Sequence, residues 1–149
     1  MPRKEIDVIA DGDNRDSGKV YHITEMSAGA IEEWAERFLF ALLKASPSAG
    51  EKLDLSQGAS SVAAAGLKLL PLINYDDVKP LLDKMMQCVT IIPDPSKPHI
   101  RRSLIDSDTE ELSTRLQIRA AWFGLHFDFS QAAVKSTLNG IMAAMSDTL

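Results

Sequence analysis

The sequence predicts an α+β fold, predominantly helical, with about five helices and a small antiparallel sheet of two hairpins. Three observations predict it. The stretch from Lys19 to Ala45 opens with β-branched and aromatic residues at a period of two, then passes into the most apolar helical pattern of the chain. A second β-branched run, Val89-Thr90-Ile91-Ile92, is joined to a candidate strand at Ile100–Ile105 by a connector with Pro93, Pro95 and Pro98, which excludes a helix there. Further stretches carry apolar residues at three- and four-residue spacing, as amphipathic helices require.

In chain order, Glu5–Ile9 is a short alternating run with Ile6, Val8 and Ala10 on one side. The segment that follows is dense in Asp, Asn and Gly and leads to the Lys19 strand, so the two strands read as a hairpin with a loose, mobile connection. Asp11, Asp13 and Asp16 resemble part of a calcium loop, but the glycine, the closing glutamate and the flanking helices that such a loop needs are missing. A solvated turn is the expectation. In the strand, Val20, His22 and Thr24 alternate with Tyr21, Ile23 and Glu25.

Ser27 is placed to cap the first helix, with Glu32 and Glu33 toward its positive end. Ile31, Trp34, Ala35, Phe38, Leu39, Leu42 and Leu43 form one wide apolar face. Phe40 falls opposite, among Glu33, Glu36 and Arg37, either as a stray aromatic or as a contact for a partner. The stretch around Pro47 and Gly50 reads as a loop. A second, alanine-rich helix carries Val62, Gly66, Leu69, Leu70 and Ile73, with Pro71 ending or kinking it.

Asn74 or Asp76 begins a third helix, with Val78, Leu81, Leu82, Met85 and Val89 as one stripe and Pro80 near its first turn. Cys88 sits at the edge of that stripe as a packed thiol. Lys97, His99, Arg101 and Arg102 are the one basic concentration and read as a solvated strand face. Ser107-Asp108-Thr109-Glu110 has the form of a capping box and predicts a fourth helix starting there.

That fourth helix shows two apolar stripes. Leu112, Leu116, Ala120, Phe123 and Phe127 make one; Ile118, Trp122 and Leu125 make the other; Glu111, Arg115 and Arg119 separate them on one flank. Such a helix packs between two bodies, either both within the fold or one of them a partner. Ser130 caps a last helix bearing Val134, Leu138, Ile141, Met142 and Met145 on one face.

The whole chain of 149 residues is expected to be a single domain, with a hairpin at about 5–25, a helical body at about 28–145 and a second strand pair at about 89–105. A net charge of −5 argues against a sequence-independent grip on nucleic acid. The single cysteine excludes an intrachain disulfide and a cysteine-based zinc cluster. No apolar run approaches the ~20 residues of a membrane span, and the N-terminus has no secretory apolar core; a soluble protein of a reducing cytoplasm is expected.

No chemistry declares itself. His22, His99 and His126 are far apart in sequence, and no phosphate loop, dinucleotide fingerprint or nucleophile elbow is present. His126, Asp128 and Ser130 follow one another too closely to imply a catalytic triad, whose roles come from tertiary geometry. The residues imply no catalytic set, no cofactor and no metal.

The segment Gly18-Lys19-Val20 through Ile23-Thr24-Glu25-Met26, running into Trp34-Ala35 and Leu39–Leu43, resembles tail assembly chaperones of long-tailed bacteriophages. So do Tyr75-Asp76-Asp77 to Pro80-Leu81-Leu82-Asp83, then Cys88-Val89, then Ile92-Pro93-Asp94-Pro95. Asp106 through Glu111, leading to Thr114-Arg115-Leu116 and Leu125-His126, continues the resemblance in the same order. It implies a non-enzymatic protein of the host cell cytoplasm that binds the helical tape-measure protein and helps recruit the tail-tube protein. Such a protein leaves before the virion is complete. Phe40, Ile118, Trp122 and Leu125 are then the candidate partner-binding residues, in helix-in-groove recognition. Pairing of exposed apolar stripes would instead give a homodimer or ring. The alternatives are a small ligand-binding or enzymatic domain with an apolar pocket lined by Trp34, Trp122 and Met85, and a phage structural accessory retained in the virion.

Overall fold

The computed structural model describes residues 2–45 and 72–127. Strands β1 (Glu5–Ile9), β2 (Val20–Thr24), β3 (Val89–Ile92) and β4 (Arg102–Ser103) form one antiparallel sheet in the order β1-β2-β3-β4. Helix α1 (Ala28–Ala45) follows β2, α2 (Tyr75–Gln87) precedes β3, and α3 (Leu112–Phe127) follows a short 3-10 turn at Asp106–Asp108. The two expected hairpins therefore merge into one sheet. The expected helices around Val62–Ile73 and after Ser130 lie outside the described residues, apart from Ile73 itself, which is buried.

Alternation decides which face of the sheet is covered. Residues paired across antiparallel strands share a face. Val8, Tyr21, Ile91 and Arg102 form one cross-sheet row, and Ile6, Ile23 and Val89 form the next. The apolar members of both rows pack with Trp34, Phe38, Leu42, Val78, Leu81, Met85, Ile118 and Trp122 in a single core. The intervening row of Asp7, His22, Thr90 and Ser103 faces the other way. His22 is held there by two carboxylates, with Nδ1 2.6 Å from Asp7 Oδ1 and Nε2 3.3 Å from Glu5 Oε1.

Caps set the helix starts. The Ser27 hydroxyl accepts from the Ala30 N–H at 3.2 Å, as expected. Asn74 caps α2 by accepting from the Asp76 N–H, and Asp76 and Asp77 occupy the first turn. Pro80 is one turn deeper than expected, inside α2, where it removes one helical N–H donor. Val89 belongs to β3 rather than to the stripe of α2, because the helix ends at Gln87.

The second strand pair is shorter than its β-branched sequence suggests. The Ile100 N–H turns back to the Lys97 carbonyl, and the Ile105 N–H donates to Asp108 Oδ2 at 2.8 Å. With both flanks diverted into turns, only Arg102 and Ser103 stay in the ladder. Arg102 is an exposed strand residue, as expected, but it also has a partner. Its guanidinium grips the buried Asp108 carboxylate with two bonds of 2.7 and 2.8 Å.

The outer edge of β1 is closed by a side chain. Gln117 of α3 donates from Nε2 to the Ile9 carbonyl at 2.9 Å and accepts at Oε1 from the Asp11 N–H at 3.2 Å. One carboxamide thus satisfies two edge groups that an added strand would otherwise use.

The largest departure from the sequence expectation lies in the connection between β1 and β2. Most of its residues are exposed, as expected of a solvated turn, but Asp16 is buried and ties the connection down. The turn is built by Gly12 and Gly18 at positive φ (103° and 82°) and by Asn14, whose Oδ1 accepts from the Asp16 N–H. This delivers Asp16 into the interior at 0% exposure. There its carboxylate accepts from the backbone N–H groups of Glu110 (3.0 Å) and Glu111 (2.9 Å) and pairs with Lys19 Nζ at 2.9 Å. The Thr114 hydroxyl, which has no other partner, lies against the same carboxylate. Arg15 reinforces the junction from outside, donating to Glu111 Oε1 and to the Glu110 carbonyl, each at 2.8 Å.

This junction also displaces the predicted capping box. With the Glu110 and Glu111 side chains drawn to Arg15 and the Asp108 carboxylate turned back to Ile105 and Arg102, Ser107 caps no helix. The chain makes one 3-10 turn, and α3 begins at Leu112 with a distant aspartate acting on the N–H groups before it. Burial alone would raise the Asp16 pKa. The Glu110 N–H, the Thr114 hydroxyl, the Lys19 ammonium and the Glu111 N–H outweigh it and hold the carboxyl well below the ordinary range. Asp108 is likewise lowered, chiefly by Arg102. Beside these two charges Tyr21, whose hydroxyl donates to the Asp108 carbonyl at 2.5 Å, is pushed up to about 12, mainly by burial.

Because both carboxyls have depressed folded-state values, the unfolded chain binds more protons as the pH falls below about 4. Their stabilisation is complete above that pH and is lost progressively below it. Asp16→Ala is expected to lower the unfolding free energy by on the order of 3 kcal/mol at pH 7. It should also flatten the decline of stability between pH 4 and pH 2, both measured by denaturant titration. An unchanged midpoint at pH 7 would contradict this assignment.

Candidate partner-binding surface

Of the residues expected to meet a partner, three are inside. Ile118 is 1% exposed, Trp122 0% and Leu125 9%, all in the core shared by sheet and helices. The expectation that this stripe contacts a partner is corrected: α3 is sandwiched within the fold. The cause is an aromatic cluster. The Trp34 and Trp122 ring centroids are 4.7 Å apart, Phe38 stacks on Trp34 at 5.4 Å, and Phe123 meets Trp122 edge-on at 5.2 Å. Both apolar stripes of α3 feed this cluster, since Ala120 and Phe123 of the other stripe are buried too.

The polar handles of the cluster are mostly accommodated. Trp34 Nε1 donates to the Leu81 carbonyl of α2 at 3.0 Å. The Trp122 indole N–H has no conventional acceptor and acts on the Cys88 sulfur, whose pKa is raised by burial. His126 lies over Trp122 at 4.2 Å, with Nδ1 2.8 Å from the Trp122 carbonyl and Nε2 2.9 Å from the Met26 N–H. The only tautomer that serves both bonds carries its proton on Nδ1 and leaves Nε2 as an acceptor. The ring is neutral when Nε2 accepts from the Met26 N–H, and burial lowers its pKa. It ties the end of α3 to the junction between β2 and α1.

Phe40 is where the sequence placed it, at 65% exposure on the charged side of α1. Around it the charges are paired, Arg37 with Glu33 at 2.9 Å and Lys44 with Asp77 at 3.5 Å. The second pair joins the end of α1 to the first turn of α2. At that same end, Leu72 and Tyr75 are also exposed. Exposed apolar side chains thus stand on each of the three helices, Phe40 on α1, Tyr75 on α2 and Leu112 on α3.

Arg115 and Arg119 complete this surface and were marked in the sequence only as separators of two stripes. They are one helical turn apart and half-buried. Arg115 donates to the Thr109 hydroxyl at 3.0 Å, but among the described residues neither guanidinium forms an ion pair. Arg119 Nε is buried without a partner, and burial together with Arg115 lowers its pKa. Asp83, which acts on Arg119 from α2, is itself engaged by Lys79. Tyr75 and Leu112 had a weaker signal, since each stands at the first position of a helix, where an apolar side chain finds no preceding turn to cover it.

Nothing in this arrangement sets a nucleophile against a base. Among the described residues no group of three or more His, Cys, Asp or Glu is placed to hold a metal ion, and no helix is long and apolar enough to cross a membrane.

The two kinds of candidate residue separate on substitution. Trp122→Ala is expected to cost about 3–5 kcal/mol of unfolding free energy, as for other large core aromatics. Phe40→Ser should change it by less than about 0.5 kcal/mol, as for an exposed side chain. Equal effects in chemical denaturation would contradict the division into core and surface.

Comparison of the chain with protein-family models, with curated proteins and with solved structures returns no match.

Proposed function

We propose that this protein is a tail assembly chaperone of a long-tailed bacteriophage, acting in the host cell cytoplasm. In this reading it binds the tape-measure protein, helps recruit the tail-tube protein and is absent from the finished virion. The observation that carries the reading is the ordered run of resembling segments from Gly18 to His126, since each segment alone is weak and their order is not. The exposed apolar side chains of Phe40, Leu72, Tyr75 and Leu112 support it, because a helical partner needs such contacts and the core does not use them. Partner binding is assigned to this surface, not to the buried stripe of Ile118, Trp122 and Leu125.

The test is affinity capture of the tagged chain from phage-producing cells, together with mass spectrometry of purified virions. The tape-measure protein is expected in the captured fraction and the chain itself is expected to be missing from the virions. Capture without tape-measure protein, or the chain present in virions at structural copy number, would overturn the chaperone reading.

A further inference from the structure

We infer that Arg115 and Arg119 form the specificity-determining part of the partner surface, and that the segment docking there is an amphipathic helix bearing two carboxylates one turn apart. The inference rests on the chaperone reading and deepens it by naming the partner's chemistry.

Desolvating a guanidinium is unfavourable unless an anion compensates. Three more exposed arginines keep to a pattern of pairing with a carboxylate. Arg15 is paired with Glu111 and Glu110, Arg37 with Glu33, and Arg102 with Asp108. Arg115 and Arg119 break it while being half-buried and mutually repulsive, and Arg119 carries an orphaned buried Nε. Two half-buried positive charges with no ion-pair partner among the described residues, on a chain of net charge −5, are a local inversion of the protein's overall sign. Arg115 and Arg119 follow exposed Leu112 at three- and seven-residue spacing, on one face of α3.

Their spacing selects the partner's geometry. Residues four apart on a helix stand about 6 Å from one another on the same face. A second helix laid alongside α3 would therefore match Arg115 and Arg119 with acidic residues three or four apart. Aliphatic side chains on that helix would meet Leu112 and Tyr75. Each guanidinium can engage a carboxylate through two parallel bonds, so the contact fixes register as well as sign. Partners presenting a basic or neutral edge would be rejected, which is specificity through an unfavourable charge contact.

The experiment is co-expression of the tagged chain with the tape-measure protein of the same phage, with capture at 0.1 M and 0.5 M salt. The chains compared are wild type, Arg115→Gln/Arg119→Gln, and Arg115→Lys/Arg119→Lys. Wild type is expected to retain at least tenfold more tape-measure protein at low salt than at high salt. The glutamine double variant should lose at least tenfold at low salt and lose the salt dependence, and the lysine variant should recover part of both. The salt series on wild type needs no substitution, so it holds even where a variant folds poorly. Wild-type capture that is indifferent to salt, or equal capture by the well-folded glutamine variant, overturns the assignment of these arginines alone. No capture by wild type at either salt overturns the chaperone reading and this inference with it.

Discussion

A carboxylate buried at the start of α3 is the constraint on which the rest of the architecture depends. Asp16 arrives from a hairpin connection and holds the N–H groups of Glu110 and Glu111, about a hundred residues away in sequence. Both donors lie just before Leu112, where an ordinary cap comes from a neighbouring residue. Here the anchor comes from the β1–β2 connection, so it ties the start of α3 to that connection. Gln117, little more than one turn along α3, makes the second attachment to the same connection through Ile9 and Asp11. Lys19, Arg102, Asp108 and the Tyr21 hydroxyl close the network on its other side. A buried charge network of this kind stabilises only when its members are satisfied together.

With α3 pinned at its start, its direction sets the core. Trp122 falls between the sheet and Trp34 of α1, and His126 reaches the Met26 N–H at the base of α1. The helix whose two apolar stripes the sequence left open, within the fold or toward a partner, buries seven residues inside its own chain. The apolar side chains left outside this core include Phe40 on α1, Tyr75 in the first turn of α2 and Leu112 at the start of α3, with Ile9, Ile100 and Ile105 elsewhere.

Local patterns in the sequence were sufficient for β1, β2 and β3, for the Ser27 and Asn74 caps and for the apolar face of α1, because period and cap chemistry are written within a few residues. They were insufficient wherever one residue answers to another far along the chain. Ser107-Asp108-Thr109-Glu110 has the form of a cap, yet Arg102 and Arg15 draw its acids away. Asp16 reads as one more turn aspartate among three, and only the fold shows that it alone is enclosed. The stripe of Ile118, Trp122 and Leu125 could equally face outward or inward, since periodicity gives the faces of a helix but not their neighbours. Phe40 was legible for the opposite reason: an aromatic among Glu33, Glu36 and Arg37 has no inward neighbours to find.

Amide hydrogen exchange at Glu110 and Glu111 measures the central claim most directly, because those two N–H groups report on the Asp16 carboxylate and on little else. In the wild-type chain at neutral pH both should be protected although they precede α3. In Asp16→Ala, under conditions where the variant remains folded, both should exchange at least tenfold faster while the amides in the middle of α3 stay protected. Unprotected Glu110 and Glu111 amides in the wild type, or equal protection with and without the carboxylate, would contradict the account.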